Sequence, residues 1–243
     1  MAGLCFNIAE LERETKALKI IGNRFLDSQS LWTLEQFSSE LRSIGGTRGE
    51  SARNIKLQCL HTMPSNQYEI GSRRGGQKIH AIISGTWGLR PLGNRPAPGR
   101  KVEFCGNSST RIELYASDDS ETRLAMWRME LGADDSPGCY VHAQILGDSD
   151  DPPFPKSVPI PRLPSIFVSP MSVVEFVLGE LFQDEWAKAT AGNSSEVLFW
   201  RALQQKRLQS LFSWYQSELK NSVSSPWMTL KEAKPDGELF VPN

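Results

Sequence analysis

The 243-residue chain has no run of 18 or more apolar residues, so it offers no membrane-spanning helix. Histidine (three) and cysteine (four) are scarce, and neither C-x-x-C nor H-E-x-x-H occurs. That excludes zinc knuckles, thioredoxin-like redox motifs and the common zinc hydrolases. G-x-x-x-x-G-K-[ST] and G-x-S-x-G are also missing, which removes the P-loop and the nucleophile elbow. Asp134, Asp135, Asp148, Asp150 and Asp151 have the charge to attract a divalent ion, but no EF-hand loop with its glycine and terminal glutamate contains them. They read as acidic loop ends, and no metal or cofactor is expected. The first 16 residues carry acids too early for a secretory h-region. Cys5, Cys59, Cys105 and Cys139 are scattered, which suits a reducing cytoplasm.

What is present is ordinary globular composition, 39% apolar and 23% charged, with a net charge of −1. That near-neutrality hides a segregation. Residues 63–112 hold eight Lys/Arg (Arg73, Arg74, Lys78, Arg90, Arg95, Arg100, Lys101, Arg111) against Glu69 and Glu103, a net of +6. Residues 113–151 hold ten acids against Arg123 and Arg128, a net of −8. Folded together, the two parts neutralise one another; on opposite faces, the basic one attracts phosphates or nucleic acid.

Periodicity divides the chain into four stretches of one compact unit. Residues 1–50 carry two amphipathic helices, over 8–25 and 31–43, the second closing at Gly45-Gly46 through a positive-φ glycine. Residues 51–147 alternate with period 2, giving strands over 54–61, 78–89, 101–105, 110–116, 123–131 and 139–146, with Gly85 at a bulge or bend. Short turn-rich connectors such as Ser117-Asp118-Asp119-Ser120 favour an antiparallel meander. Residues 148–168 hold six of the fifteen prolines and read as an extended strap docked on the body. Residues 169–243 are helical. Ser169-Pro170 starts a helix to Thr190, an Asn193/Glu196 capping pair starts one to Asn221, and Ser225-Pro226 starts a short one. The first two of these form a helical hairpin. The fold class is α+β, an antiparallel sheet of five to seven strands flanked by helices.

Strand parity then yields a candidate site. Alternate side chains share a face, so Arg111, Glu113 and Tyr115, Arg128 and Glu130, and Tyr140, His142 and Gln144 gather on one side of the meander. His142 is a candidate general acid or base, Arg128 an electrophilic clamp, Glu130 an orienting carboxylate, and Arg111, Tyr140 and Gln144 ligand contacts. The simpler reading is a solvated sheet face, or a hydrogen-bonded layer beneath the strap. The glycine-rich loop at 71–78 holds Arg73, Arg74 and Lys78, which can cradle a phosphate, although such loops are common hairpin material.

Seven tryptophans, four of them in the last third, make a separate argument. Adjacent large residues such as Phe199 and Trp200 lie about 100° apart on a helix and cannot all face one core. Some must meet another layer or a partner. Two functions of different class follow: a binding or scaffolding subunit of a larger cytoplasmic protein assembly, as hetero-complex or homo-oligomer, or a metal-independent phosphate-ligand or nucleic-acid binder or phosphoesterase using His142 and Arg128. An accessory part in a bacterial defence or toxin system is one setting for the first, with no residue that specifies it.

Overall fold

A computed structural model describes residues 3–68, 77–94, 96–97, 99–118, 123–132, 138–146, 162–235, 237 and 239–241. Its elements run β1 (Cys5–Asn7), α1 (Ile8–Ile21), α2 (Ser28–Gly46), β2 (Arg53–His61), β3 (Ile79–Pro91), β4 (Lys101–Ala116), β5 (Arg123–Leu131), β6 (Val141–Leu146), β7 (Leu163–Pro164), α3 (Pro170–Thr190), α4 (Ser195–Lys220) and α5 (Pro226–Glu232). The α+β class holds. All strand pairings are antiparallel, in the order β2-β3-β4-β5-β6-β7, with β1 beside the first half of β4. Residues 147–161, with most of the expected strap, lie outside the described residues; its end supplies β7, an edge strand where Pro164 needs no donor.

The two strands expected at 101–105 and 110–116 are one. β4 passes through a bulge at Gly106, whose φ of +64° suits glycine. The bulge is tight: a Cβ on Gly88 of the facing strand would stand 2.2 Å from the Cys105 carbonyl oxygen. Here Ser108 Oγ accepts from the Gly88 N–H at 3.0 Å, and Trp87 Nε1 donates to Thr110 Oγ1 at 2.9 Å. The expected irregularity near Gly85 thus falls between Thr86 and Gly88.

One sheet face carries Ile83, Leu89, Phe104, Ile112 and Met129, and with α1, α2 and α3 it forms a single core. Trp87 and Phe6 flank Phe104, with centroids 4.8 and 4.4 Å away. Helix ends follow local chemistry, with corrections. Asn7 caps α1 by accepting from the Ala9 N–H at 2.9 Å. Helix α2 runs through Gly45-Gly46 and ends at Thr47; the positive-φ glycine is Gly49. Ser194, not Asn193, caps α4, accepting from the Val197 N–H. Helix α3 starts at Ser169-Pro170 as expected but kinks at Gln183, whose φ is +30°. Near the kink, Ser65 Oγ donates to the Leu181 carbonyl and Arg24 to that of Glu185.

The expected α3–α4 hairpin is loose, because α4 packs chiefly on α1. A buried polar hub sets that arrangement. Oε1 of the fully buried Glu14 accepts from Ser169 Oγ (2.8 Å), Gln204 Nε2 (2.7 Å) and Arg207 Nη1 (2.7 Å). The Arg207 guanidinium also lies 5.0 Å from the centre of the Phe6 ring. One carboxylate thereby ties α1 to the N-cap of α3 and the middle of α4. Removing one partner of a buried pair leaves a charge uncompensated, so Arg207→Met is expected to cost about 3–5 kcal/mol. The double variant Glu14→Met/Arg207→Met should recover much of that loss, as read from urea unfolding midpoints.

Candidate functional site

The face opposite the core is organised in cross-strand rows. The register pairs Ser84 with Arg111, Arg111 with Arg128, and Arg128 with Gln144. The next row runs Thr86, Ser109, Glu130, His142 and Pro164. On the other side, Ile82, Glu113 and Met126 are in line. Directly opposed side chains have Cβ atoms about 4.5–5.5 Å apart, close enough to interact. Arg111, Arg128, Glu130, His142 and Gln144 are therefore brought together as parity required.

Two carboxylates organise this face. Glu113 Oε1 accepts from Arg111 Nη2 (2.7 Å), Arg123 Nη1 (2.9 Å) and Tyr115 Oη (3.3 Å). Partial burial pushes the Glu113 carboxyl up, but the Arg123 and Arg111 hydrogen bonds and charges outweigh it, and its pKa lies below 4.5. The Tyr115 hydroxyl is pushed the other way, first by burial and then by the Glu113 charge. The Tyr115 ring stacks on His80, centroids 5.8 Å apart. Desolvation, followed by the nearby His61, lowers the pKa of His80.

Glu130 is the second centre. Its Oε2 lies 3.2 Å from His142 Nε2, and its Oε1 is 3.6 Å from Arg128 Nη1. The His142 hydrogen bond holds its carboxyl below 4.5 against the opposing pull of burial. His142 is only 2% exposed, and its Nδ1–H donates to the Cys139 carbonyl at 2.8 Å. Both ring nitrogens are engaged within the protein. The Nδ1–H bond orients the ring, general acid–base chemistry would need only Nε2 to leave Glu130, and as placed the ring supports that carboxylate.

The remaining candidates divide. Gln144 and Arg128 are half-buried on the polar face; Tyr140 instead belongs to the hydrophobic core, 5% exposed and just ahead of β6. Lys78 is exposed before β3, remote in register from the Arg128 row. Arg73 and Arg74 lie outside the described residues, as do Arg95 and the five loop aspartates. Arg123 was not foreseen. Strict alternation puts it with Ala125 and Trp127 on the core face, but a register shift between Leu114 and Tyr115 sets it opposite the outward Tyr115.

Among the described residues of the basic segment, Arg90 and Arg100 are turned to partners within the protein. Arg90 pairs with Glu103, with Nε–Oε2 at 2.8 Å. Arg100 is buried, donating to the carbonyls of Leu92, Thr47, Gly49 and Gly93 as a clamp between loops. Among the described residues no three His, Cys, Asp or Glu side chains are gathered to hold a metal ion, and no helix is long and apolar enough to cross a membrane.

Glu113 and Glu130 titrate lower when folded, so their stabilisation is complete above the ordinary value of 4.5 and is lost as pH falls through the lower folded values. Urea midpoints of the wild type and Glu113→Gln should therefore differ most at neutral pH and converge on acidification. A gap that persists unchanged to low pH would contradict this assignment. Comparison of the chain with protein-family models, with curated proteins and with solved structures finds no match.

Proposed function

We propose that the chain is a binding subunit of a protein assembly and that it holds its partner through the C-terminal helices. The observation that carries this reading is how α4 leaves the body. The helix is 26 residues long, about 39 Å, yet its buried residues are Val197, Trp200, Leu203, Gln204, Arg207 and Leu211, and none follows. Helix α5 has no buried residue at all. Beyond Leu211, Trp214 and Tyr215 turn back toward the protein, and burial pushes the Tyr215 hydroxyl up to about 12. Phe212 (53% exposed) and Leu219, one heptad apart on α4, face outward, as do Val223, Trp227 (47%) and Met228.

Exposed aromatic and aliphatic side chains gathered in one stretch of chain, here residues 212–228, are of the kind that association surfaces use, and tryptophan is enriched where binding energy concentrates. The chemistry of the occupant follows from charge. Residues 208–230 contain one acid, Glu218, and one base, Lys220. A nucleic acid or an anionic lipid surface would need a basic excess here, so an apolar, near-neutral protein face fits best. The occupant we assign is a different protein.

The test is to purify the chain with its stoichiometric partner, reconstitute the complex from the two separate proteins, and measure affinity. Trp227→Ala and Phe212→Ser are expected to weaken it by about 30-fold or more each, while the exposed Trp32 on α2 should tolerate Trp32→Ala. Undiminished affinity in both variants would overturn the reading, and so would a chain that stays monomeric with no stoichiometric partner. Self-association abolished by Phe212→Ser would replace it with a homo-oligomer.

A further inference from the structure

We propose that Arg111 and Arg128 form a site for one phosphoryl group of a small ligand. The register sets these two guanidinium side chains directly opposite each other on adjacent strands, an arrangement that is destabilising for like charges unless something answers it. The protein answers it incompletely. Arg111 gives Nη2 to Glu113, but its Nε is shut off from solvent with no hydrogen-bond partner among the described residues. The Arg128 contact with Glu130 is long, 3.6 Å, and Oε2 of that carboxylate is taken by His142. Both side chains are partly exposed, 38% and 42%, so guanidinium N–H groups other than the enclosed Arg111 Nε remain open on one face.

The neighbours suit an oxyanion. Ser84 and Gln144 end the same row and add a hydroxyl and an amide donor beside the guanidiniums. Arginine forks bind phosphoryl oxygens bidentately, and a dianion between them would relieve the repulsion as it binds. His142 holds Oε2 of Glu130 and leaves Oε1 at 3.6 Å from Arg128, which makes His142 a positioning residue for this site.

The same rows limit the size of what binds. Glu113 lies one row to one side and Glu130 one row to the other, each about 7 Å along the strands. A polynucleotide laid along the strands would bring its next phosphates over these carboxylates, whereas a single phosphoryl group meets only the arginine row. The site is independent of the α4–α5 surface and can fail or stand without it.

The deciding measurement is a phosphorus NMR titration of the whole protein with inorganic phosphate, at an ionic strength held constant with sodium chloride. Saturable binding is expected in the wild type, with at least a tenfold loss in Arg128→Gln. Arg128→Lys should lose most of the affinity as well, because the ammonium keeps the charge without the fork. Trp227→Ala should bind phosphate normally. Arg128 makes only the one long described contact, so its variants remain informative even where Arg111→Gln unfolds the protein. Equal binding by wild type and Arg128→Gln, or none by either, would overturn the proposal. A single-stranded RNA bound more tightly than phosphate, and weakening steeply with salt, would overturn its restriction to one phosphoryl group.

Discussion

The Glu14 carboxylate is the constraint around which the helices are arranged. It has no access to water, and one of its oxygens receives donors from α3 and α4, two elements more than 150 residues distant in sequence. An uncompensated charge at such depth is far more costly than a missing contact, so the donors must arrive together for the fold to close. Arg207 fixes where along α4 this happens. Since it lies near the helix midpoint, the following turns are carried past the core, and the exposed apolar surface of α4 and α5 is a geometric result of that anchor.

The sheet obeys a simpler rule, the two-residue repeat, and it was largely legible in the sequence. β5 begins and ends where alternation placed it, and the opposed faces of β4, β5 and β6 carry the expected side chains. The reading failed wherever the count slipped by one. Arg123 is on the polar face because an extra residue is accommodated beside Leu114, and β4 appeared as two strands because Gly106 bends it. Tyr140 shows another limit: parity holds only within a strand, and Tyr140 precedes β6. Three-residue β1 and two-residue β7 are too short for any period to register.

Contacts remote in sequence were not legible at all. Glu14 read as one more charge on an amphipathic helix, and nothing near it signals Arg207. The charge segregation between residues 63–112 and 113–151 was real, but its consequence depended on where each guanidinium went. Arg100 went inside to bind carbonyl oxygens, Arg90 met a glutamate of its own segment, and Arg111 crossed the boundary to Glu113. Among the described residues, Arg111 and Arg128 come to lie opposite one another on a shared face, a distinction that composition averages away.

The margins of the sheet carry a final consequence. β2 slips register between Leu57 and Leu60, leaving Gln58 and Cys59 both turned to solvent beside Arg53 and Lys56. At the far margin, β7 is two residues long and one of them is proline. Among the described residues, the β2 border is broken by its register slip and the β7 border is short and proline-bearing, features that make a sheet margin a poorer template for a foreign strand.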